Sequence, residues 1–284
     1  MEEAIRKADV LIEALPYIKE FHRKAMVIKY GGSILGDEKI RAGVLEDIVF
    51  LSYMGLCPIL VHGGGPNISE RMKAEGMKTD FVDGMRVTDE KTLAIVEEEL
   101  NKLNKMLVSE LQELGARAVG FRAGKQSIIS ARKKQEARDL GFVGEVESID
   151  AQPLLAEMKD YAVCVVCPIG RGKDSKLYNI NADDVASSAA VSLLAEKLVI
   201  LTNVRGIMRS PDDPGSLIST LTVDEARGLI DEGAVQEGMI PKVKSAIMAL
   251  GGGVKKTHII DARIPHALLL EIFTKEGIGT EIVE

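Results

Sequence analysis

The stretch MVIKYGGS at residues 26–33 decides the fold, and PILVHGGGPN at 58–67 repeats its pattern. In each stretch an apolar run ends in glycines, and a helical pattern follows. A buried parallel strand of this kind brings bare backbone N–H groups to the carboxyl edge of a sheet, where the start of a helix favours anions. Two such edges in one domain predict that a phosphoryl group binds between two glycine loops, as in a phosphotransferase.

Neither loop matches a common nucleotide-binding motif. A Walker A loop needs G-x-x-x-x-G-K-[ST], and GGGVKKT at 251–257 lacks the second glycine before its lysine. A dinucleotide fingerprint needs G-x-G-x-x-G, and Ser33 and Ile68 stand where it requires glycines. The alternative is that the glycines only permit tight turns between strand and helix.

The composition is that of an ordinary globular protein. The 284 residues suffice for one large or two modest domains, and 46% hydrophobic with 28% charged residues excludes a disordered or fibrous chain. A net charge of −7 argues against a nucleic-acid or anionic-membrane partner. No stretch approaches the roughly 20 apolar residues of a membrane span, and the acidic start lacks the features of a secretory signal, so we expect a cytoplasmic protein.

The three cysteines, Cys57, Cys164 and Cys167, are too few for a disulfide framework. Cys164 and Cys167 have C-x-x-C spacing, but they lie in an apolar run at 162–168. Positions three apart in a strand point to opposite faces, so the two sulfurs should diverge. We therefore expect buried packing rather than a metal or redox site.

Strand-like runs alternate with helical patterns, which favours a mostly parallel sheet with helices on both faces. Helix starts are predicted at Thr88–Glu90, at the capping box from Thr222 to Glu225 and at Pro241. Two short strands between 127 and 146 are expected to form a hairpin over the site. The apolar runs are 26–30, 58–62, 117–121, 161–169, 197–203, 257–261 and 279–283.

The first 24 residues carry an apolar stripe ahead of the first strand, formed by Val10, Leu11, Ala14, Leu15 and Ile18. Pro16 lies inside this stripe and should kink or break the helix. A helix outside the sheet with its own apolar face needs a partner surface, on its own domain or on a second subunit.

Four positions are candidates for chemistry. Lys29 directly precedes the first glycines, so its ammonium would lie beside a bound phosphate, and Lys242 stands at a predicted helix start. NINADD at 179–184 places more amides and carboxylates in a first turn than one helix cap requires. Arg86 lies between a turn and a helix, where a planar guanidinium could bind a carboxylate through two hydrogen bonds. Each of these also has an ordinary interpretation as a surface charge or a helix cap.

Five motifs in order resemble the N-acetylglutamate kinases of the amino-acid kinase family: KYGGS at 29–33, HGGGPNI at 62–68, FVDGMRVTDEKT at 81–92, YNINADD at 178–184 and EGMIPKV at 237–243. The resemblance implies a three-layer α/β/α sandwich with a mostly parallel central sheet. It implies transfer of the ATP γ-phosphoryl group to the γ-carboxylate of N-acetyl-L-glutamate, the second step of arginine biosynthesis. It also implies an oligomerisation helix at 1–24, an acceptor-binding and dimerisation N-lobe at 25–190, and a nucleotide- and arginine-binding C-lobe at 191–284.

The resemblance also implies roles for individual residues. Two lysines would clamp the transferring phosphoryl group, an aspartate would position both, and loop amides would hold the phosphoryl group and the attacking carboxylate. ATP would bring Mg²⁺ as co-substrate, and neither a metal site on the protein nor a tightly bound cofactor is expected. The implied residues are Lys29, Lys242 and Asp183 for catalysis; Gly32 and Gly64 for phosphate; Gly64, Gly65, Arg86 and Asn179 for the acceptor; and Asn203, Gly206 and Met208 for the nucleotide.

The chain departs from the family pattern in its nucleotide half. Asn203 stands where the family usually carries Asp, and the neighbouring Arg205 is unusual there. FRAGK at 121–125 likewise differs from the usual small residues before its Gly-Lys. Nucleotide binding is the function that these departures put in doubt.

The two ends of the chain resemble the arginine-inhibited members of the family. LIEALPY at 11–17 resembles the extra helix that joins dimers into a hexameric ring, a trimer of dimers, and HALLLEIF at 266–273 with GIGT at 277–280 resembles the arginine pocket. Without the resemblance, 264–276 would be an amphipathic core helix. A PII-type signalling protein is a further candidate partner. The implied arginine residues are Tyr17, Lys197, His266, Glu271 and Gly279.

Three alternatives stay open at this point. One is a kinase for a related carboxylate, such as aspartate or an aminoadipate carried by a protein, which would share the glycine loops. Another is an arginine-sensing protein with weak catalysis, against which the intact lysines and aspartate argue. The last is a nicotinamide oxidoreductase, which fits the fold class and lacks the fingerprint.

Overall fold

The computed structural model describes residues 1–82, 84–124, 127–210, 213–236, 238–274 and 277–284. Asp83, Lys125 and Glu237 of the motifs lie outside the described residues, as do the side chains of Val10 and Leu11. The helices within this part, numbered in chain order, are α1 Glu2–Phe21, α2 Glu38–Tyr53, α3 Gly65–Ala74, α4 Glu90–Glu113, α5 Gln152–Met158, α6 Ala182–Ser192, α7 Val223–Asp231, α8 Ile240–Gly251 and α9 Ala267–Phe273.

The described strands form a large sheet, a small closed sheet and a two-stranded ribbon. They are β1 Ala25–Tyr30, β2 Cys57–His62, β3 Phe81–Val82, β4 Met85–Arg86, β5 Ala118–Phe121, β6 Ile129–Lys133, β7 Val143–Ile149, β8 Val163–Val166, β9 Ile169–Gly172, β10 Leu177–Ile180, β11 Lys197–Thr202, β12 Thr220–Thr222, β13 Lys256–Asp261 and β14 Thr280–Val283. The large sheet has the order β12-β14-β13-β11-β1-β2-β8-β5, and only β13 and β14 pair antiparallel. A mostly parallel α/β sheet is thus confirmed.

The core has two halves, one on each face of the large sheet. Along β1, Met26 and Ile28 pack into one half and Val27 into the other, because successive side chains of a strand point to opposite faces. Helices α2, α3, α4 and α9 cover the first face, and α5 to α8 cover the second. These are the three layers that the sequence predicted.

The cysteines behave as the spacing predicted. Cys164 packs into one half of the core and Cys167 into the other, and both are buried free thiols. Burial raises the pKa of each thiol to about 12, so neither is ionised at neutral pH. The apolar run that contains them forms two strands rather than one, since Pro168 between β8 and β9 has no N–H to donate.

Two local predictions have different outcomes. The hairpin is confirmed, since β6 and β7 pair antiparallel within the small closed sheet of β10, β7, β6 and β9. Pro16, by contrast, does not break α1, which runs from Glu2 to Phe21. Ile12, whose carbonyl would have paired with the missing N–H, is exposed, so water can take the place of that donor. No helix in the described ranges combines the length and the apolar character needed to cross a membrane.

Candidate active site

The two glycine loops meet at the carboxyl edge of the large sheet, where β1 and β2 are neighbouring parallel strands. The Gly63 N–H donates to the Tyr30 carbonyl at 2.7 Å. A Cβ placed on Gly31 would lie 3.2 Å from the Gly63 Cα, so the loops touch backbone to backbone. Among the residues described, no hydrogen bond uses the N–H of Gly32 or Gly64. These two amides are therefore available to bind an anion.

A lysine–aspartate–lysine cluster lies beside the first loop. Lys29 ends β1 next to its glycines, and its Nζ lies 3.1 Å from Asp183 Oδ1 as an ion pair. Lys242, in the first turn of α8, donates a hydrogen bond to Asp183 Oδ2 at 3.1 Å. Asp183 is the second residue of α6, where the side chain of Asn181 caps the helix by accepting the Asp183 N–H. One carboxylate thus holds both predicted catalytic lysines.

Burial and charge act against each other within this cluster. Burial lowers the pKa of Lys29, and the Asp183 charge opposes that shift. Burial alone would raise the pKa of Asp183, but the charges of Lys29 and Lys242 outweigh it and hold that pKa below its usual range. Asp183 is therefore an anion at neutral pH, and its charge favours the protonated form of Lys29.

Arg86 is a buried cation near the start of α3. Its guanidinium donates to the Gly65 carbonyl at 3.0 Å and to Ser69 Oγ at 2.6 Å, and it lies over the Phe81 ring at 4.7 Å. Burial lowers its pKa, and within the described ranges no carboxylate pairs with it. A buried guanidinium without a counter-ion favours binding of an anionic ligand such as a carboxylate.

Asn179 and Arg86 are connected through Thr88. The Asn179 amide donates to Thr88 Oγ1 at 3.2 Å, and that hydroxyl donates to the Arg86 carbonyl at 2.7 Å. Gly141 packs directly on this segment, since a Cβ there would overlap the Thr88 carbonyl oxygen. Sequence reasoning missed Thr88 and Ser69, because Thr88 also fits a helix start and Ser69 stands in no motif.

The predicted nucleotide residues follow β11 at the same edge of the sheet. Asn203 is exposed, and Gly206, with φ of +148°, lies against β14, where its Cβ would come 2.6 Å from Thr280 Oγ1. The Ile207 N–H donates to the same hydroxyl at 2.8 Å, just before Met208. The loop is therefore fixed at Gly206 and Ile207, while the exposed Asn203 side chain accepts a long hydrogen bond, 3.5 Å, from Thr202 Oγ1.

A cavity of about 530 Å³ lies in the C-terminal half. Glu271 is held there by His258 Nδ1 at 2.6 Å and by the Ile278 N–H at 2.8 Å. Burial would raise the pKa of Glu271, but these two hydrogen bonds hold it below its usual range, so the cavity contains a carboxylate anion. The predicted arginine residues that the cavity brings together are Tyr17, Lys197, Glu271 and Gly279.

His266 does not join these residues. It lies at the start of α9 with φ of +57°, and its Nδ1 is 2.7 Å from Asp47 Oδ1 on α2, away from the cavity. The histidine that lines the cavity is His258 on β13, whose buried Nε2 has no hydrogen-bond partner in the described part of the chain. Nearly all of β13 is buried, so the sequence pattern gave no sign of which side chains face the cavity.

Known proteins identify the family. The amino acid kinase family matches residues 24–261, so the chain belongs to that family. The acetylglutamate kinase of Halothermothrix orenii is 46% identical over 288 residues, which cover 100% of this chain and 99% of that protein. That of Aquifex aeolicus is 45% identical over 298 residues, covering 99% of each. Within the family, the chain falls among the acetylglutamate kinases.

A solved structure has a similar fold. The N-acetylglutamate synthase from Neisseria gonorrhoeae, complexed with coenzyme A and L-arginine, has a TM-score of 0.84 and 28% identity. The match covers 97% of this chain and 65% of the synthase, so the chain spans about two thirds of that protein's length. Nearly the whole of this chain thus has the fold of one part of a larger enzyme.

Proposed function

We propose that this protein transfers the γ-phosphoryl group of MgATP to the γ-carboxylate of N-acetyl-L-glutamate, in the second step of arginine biosynthesis. The observation that carries the proposal is the single carboxylate of Asp183 holding Lys29 and Lys242 where the two glycine loops meet. The acetylglutamate kinases that match over the full length support the choice of acceptor.

The chemistry needs no general base. A glutamate γ-carboxylate has an ordinary pKa of about 4.3, so the nucleophile is already ionised at neutral pH. The protein must align it with the γ-phosphorus and neutralise the charge that spreads over the phosphoryl oxygens. In this proposal Lys29, Lys242 and the amides of Gly32 and Gly64 align the reactants and neutralise this charge. Asp183 keeps both ammonium groups in position.

Arg86, Asn179 and Gly65 orient the acceptor in this proposal. Arg86 binds its α-carboxylate, Asn179 hydrogen-bonds it, and the Gly65 amide at the start of α3 supports the attacking carboxylate. MgATP enters as a substrate whose Mg²⁺ is bound mostly by phosphate oxygens and water. Within the described ranges, no group of three or more His, Cys, Asp or Glu side chains could hold a metal ion. Asn203, Gly206 and Met208 contact the nucleotide.

The function is tested by trapping the acyl phosphate with hydroxylamine, using N-acetylglutamate and MgATP with and without millimolar arginine. We expect a hydroxamate with N-acetylglutamate, none with aspartate, and less product when arginine is present. Product from aspartate instead would indicate a kinase for a related carboxylate. Absence of product together with arginine binding in calorimetry would favour an arginine-sensing protein with weak catalysis.

Replacing Arg86 by alanine is expected to raise the KM for N-acetylglutamate by about 100-fold and to change kcat much less, since a charge-assisted bond to a carboxylate contributes about 1.5–3 kcal/mol. Steady-state kinetics with the acceptor varied give both constants. Arg71→Ala is the matched control, because Arg71 lies on α3 but is exposed and pairs with Glu75. An unchanged KM in Arg86→Ala would show that Arg86 does not bind the acceptor.

We also propose that arginine inhibits the enzyme by binding in the C-terminal cavity. Glu271 supplies the anion for its guanidinium or ammonium group, and Tyr17 of α1 lies at the rim against Phe273, with the two rings 6.3 Å apart. Helix α1 thus contributes to the cavity directly. In this proposal residues 1–24 join dimers into a hexamer, which is also the form to which a PII-type protein would bind.

The boundary between the two proposed lobes lies near the end of α6. The N-lobe, 25–190, binds the acceptor and dimerises, and the C-lobe, 191–284, binds the nucleotide and arginine. Helix α6 crosses this boundary and carries Asp183 in its first turn. Strands β1 and β11, one from each lobe, pair along five registered residues, so the large sheet is continuous across the boundary.

Deleting residues 1–24 is expected to abolish arginine inhibition and to convert the hexamer into dimers, while turnover without arginine persists. Light scattering and arginine titrations measure the two effects. The deletion also removes Phe21, which is buried in the core, so the melting temperature of the shortened protein must be measured to show that it is folded. Tyr17→Ala tests the cavity alone, and it should weaken inhibition by roughly 10-fold within an intact hexamer. Full arginine sensitivity in the deletion would refute a role for α1.

A further inference from the structure

His62 is a buried histidine inside the second glycine loop that the proposed chemistry does not use. It ends β2 and is fully buried. Its Nδ1 lies 2.9 Å from the Gly63 carbonyl oxygen, and its Nε2 lies 3.3 Å from the amide nitrogen of Asn104 on α4. The imidazole thus connects a core helix to the backbone of the loop.

The hydrogen bonds around the ring determine its tautomer. Asn104 Nδ2 also donates to the Val165 carbonyl at 3.0 Å, and a carbonyl can only accept, which identifies this atom as the amide nitrogen. Its second N–H faces His62 Nε2, so Nε2 accepts and the proton is on Nδ1. Nδ1–H therefore donates to the Gly63 carbonyl. Burial lowers the pKa of His62 to about 4, so the ring is neutral at physiological pH.

Holding the Gly63 carbonyl also orients the next amide. The Gly63–Gly64 peptide is trans, as are all described peptide bonds, so its C=O and N–H point in opposite directions across one plane. Glycines on both sides give this plane more rotational freedom than other residues would. A residue with a side chain would restrict this rotation, but at Gly64 its Cβ would overlap Leu100 of α4. The hydrogen bond from His62 fixes the plane instead.

We propose that His62 and Asn104 are positioning residues, which hold the Gly63–Gly64 peptide so that the Gly64 N–H is directed at the transferred phosphoryl group. The inference rests on the proposed function, which assigns that amide to the phosphoryl group. Charge on the phosphoryl oxygens develops in the transition state, so the orientation of this amide affects kcat more than substrate binding.

Three variants test the proposal. His62→Leu removes both hydrogen bonds of the ring, and His62→Asn keeps a donor near the position of Nδ1. Asn104→Leu removes the bond to Nε2 together with the bond to the Val165 carbonyl, and it leaves the His62 bond to Gly63 in place. We expect kcat to fall about 10- to 50-fold in His62→Leu, less than the loss when an oxyanion donor is removed outright. KM values should change less than about 3-fold, His62→Asn should recover most of kcat, and Asn104→Leu should lie between them.

Thermal melting of each variant separates positioning from support of the fold. The two His62 variants lose the same bond to Asn104, so similar melting temperatures with different kcat values support positioning. Equal kcat values in His62→Leu and His62→Asn, or near-normal kcat in His62→Leu, would overturn the proposal. In ¹⁵N-labelled wild-type protein, NMR should show the His62 proton on Nδ1, and a proton on Nε2 would also overturn it.

Binding of MgADP with fluoroaluminate, which imitates the transferred phosphoryl group, keeps this test independent of the acceptor. By calorimetry, His62→Leu should bind MgADP as the wild type does and lose about 10-fold in affinity when fluoroaluminate is added. Equal affinities would refute the positioning role even if the wild type phosphorylates N-acetylglutamate. If the wild type forms no hydroxamate from N-acetylglutamate, the proposed function fails. The positioning role of His62 is then tested only by comparing the affinity of wild type and His62→Leu for MgADP with fluoroaluminate.

Discussion

Replacing Lys242 by alanine is expected to lower kcat about 100- to 1000-fold, with little change in the KM for MgATP or for the acceptor. The Lys242 ammonium is held by Asp183, and in the proposed mechanism it neutralises charge that appears mainly as the phosphoryl group transfers. Ground-state binding depends on other contacts, so the loss should fall on the chemical step. Lys29→Ala should have an effect of the same size.

Lys244→Ala is the matched control for this prediction. Lys244 lies two residues further along α8 but is exposed, so its loss should leave kcat and both KM values within about 2-fold of wild type. Initial rates across a matrix of MgATP and N-acetylglutamate concentrations give kcat and both KM values for each variant. Near-normal kcat in Lys242→Ala would show that this lysine does not stabilise the transition state.

Replacing Asp183 by asparagine should also cost about 100-fold or more in kcat, because the carboxylate anchors both lysines. Without it, two ammonium groups lie close together in a buried site with no counter-charge, and they should move apart. The neighbouring Asp184→Asn is the control, since Asp184 points to Ser245 instead of the lysines and its pKa is raised by burial. Kinetics of the two variants at neutral pH provide the comparison.

The pH profile gives Asp183→Asn a second, independent signature. The Asp183 charge raises the pKa of Lys29, whereas burial and Lys242 lower it. Removing that charge lowers the Lys29 pKa further, so Lys29 loses its proton, and kcat declines, at a lower pH than in the wild type. If kcat declines at the same alkaline pH in both proteins, the protonation of Lys29 does not control that decline.

Much of the architecture could be predicted because each feature depends on neighbours in the sequence. The apolar runs gave β1, β2, β11 and β13 to within a residue or two, and Thr222 with Glu225 forms the predicted capping box at the start of α7. Lys29 could be identified as a candidate because it directly precedes glycines at a strand end. Local chemistry is sufficient for such assignments.

The remaining features depend on contacts between distant parts of the chain. Asn104 meets His62 across 42 residues, and nothing in the pattern of α4 distinguishes it from an ordinary buried helix residue. The cavity histidine was misplaced for the same reason. His258 lines the cavity and His266 contacts Asp47 on α2, and this difference depends on tertiary packing alone. Only the hairpin of β6 and β7 could be predicted within the small closed sheet, because β9 and β10 are short and pair with it across intervening segments.

The contact between Gly31 and Gly63 has a consequence for how this gene can vary. Neither residue needs glycine for its own backbone angles, since neither has a positive φ. Each needs it because the other loop is in the way: a Cβ on Gly31 meets the Gly63 Cα at 3.2 Å, and one on Gly63 meets the Gly31 Cα at 3.3 Å. Every missense codon one nucleotide from a glycine codon encodes a residue with a Cβ. A Cβ at either position therefore pushes the two loops apart by a few tenths of an ångström, and a second substitution at the other position adds to that displacement instead of compensating for it.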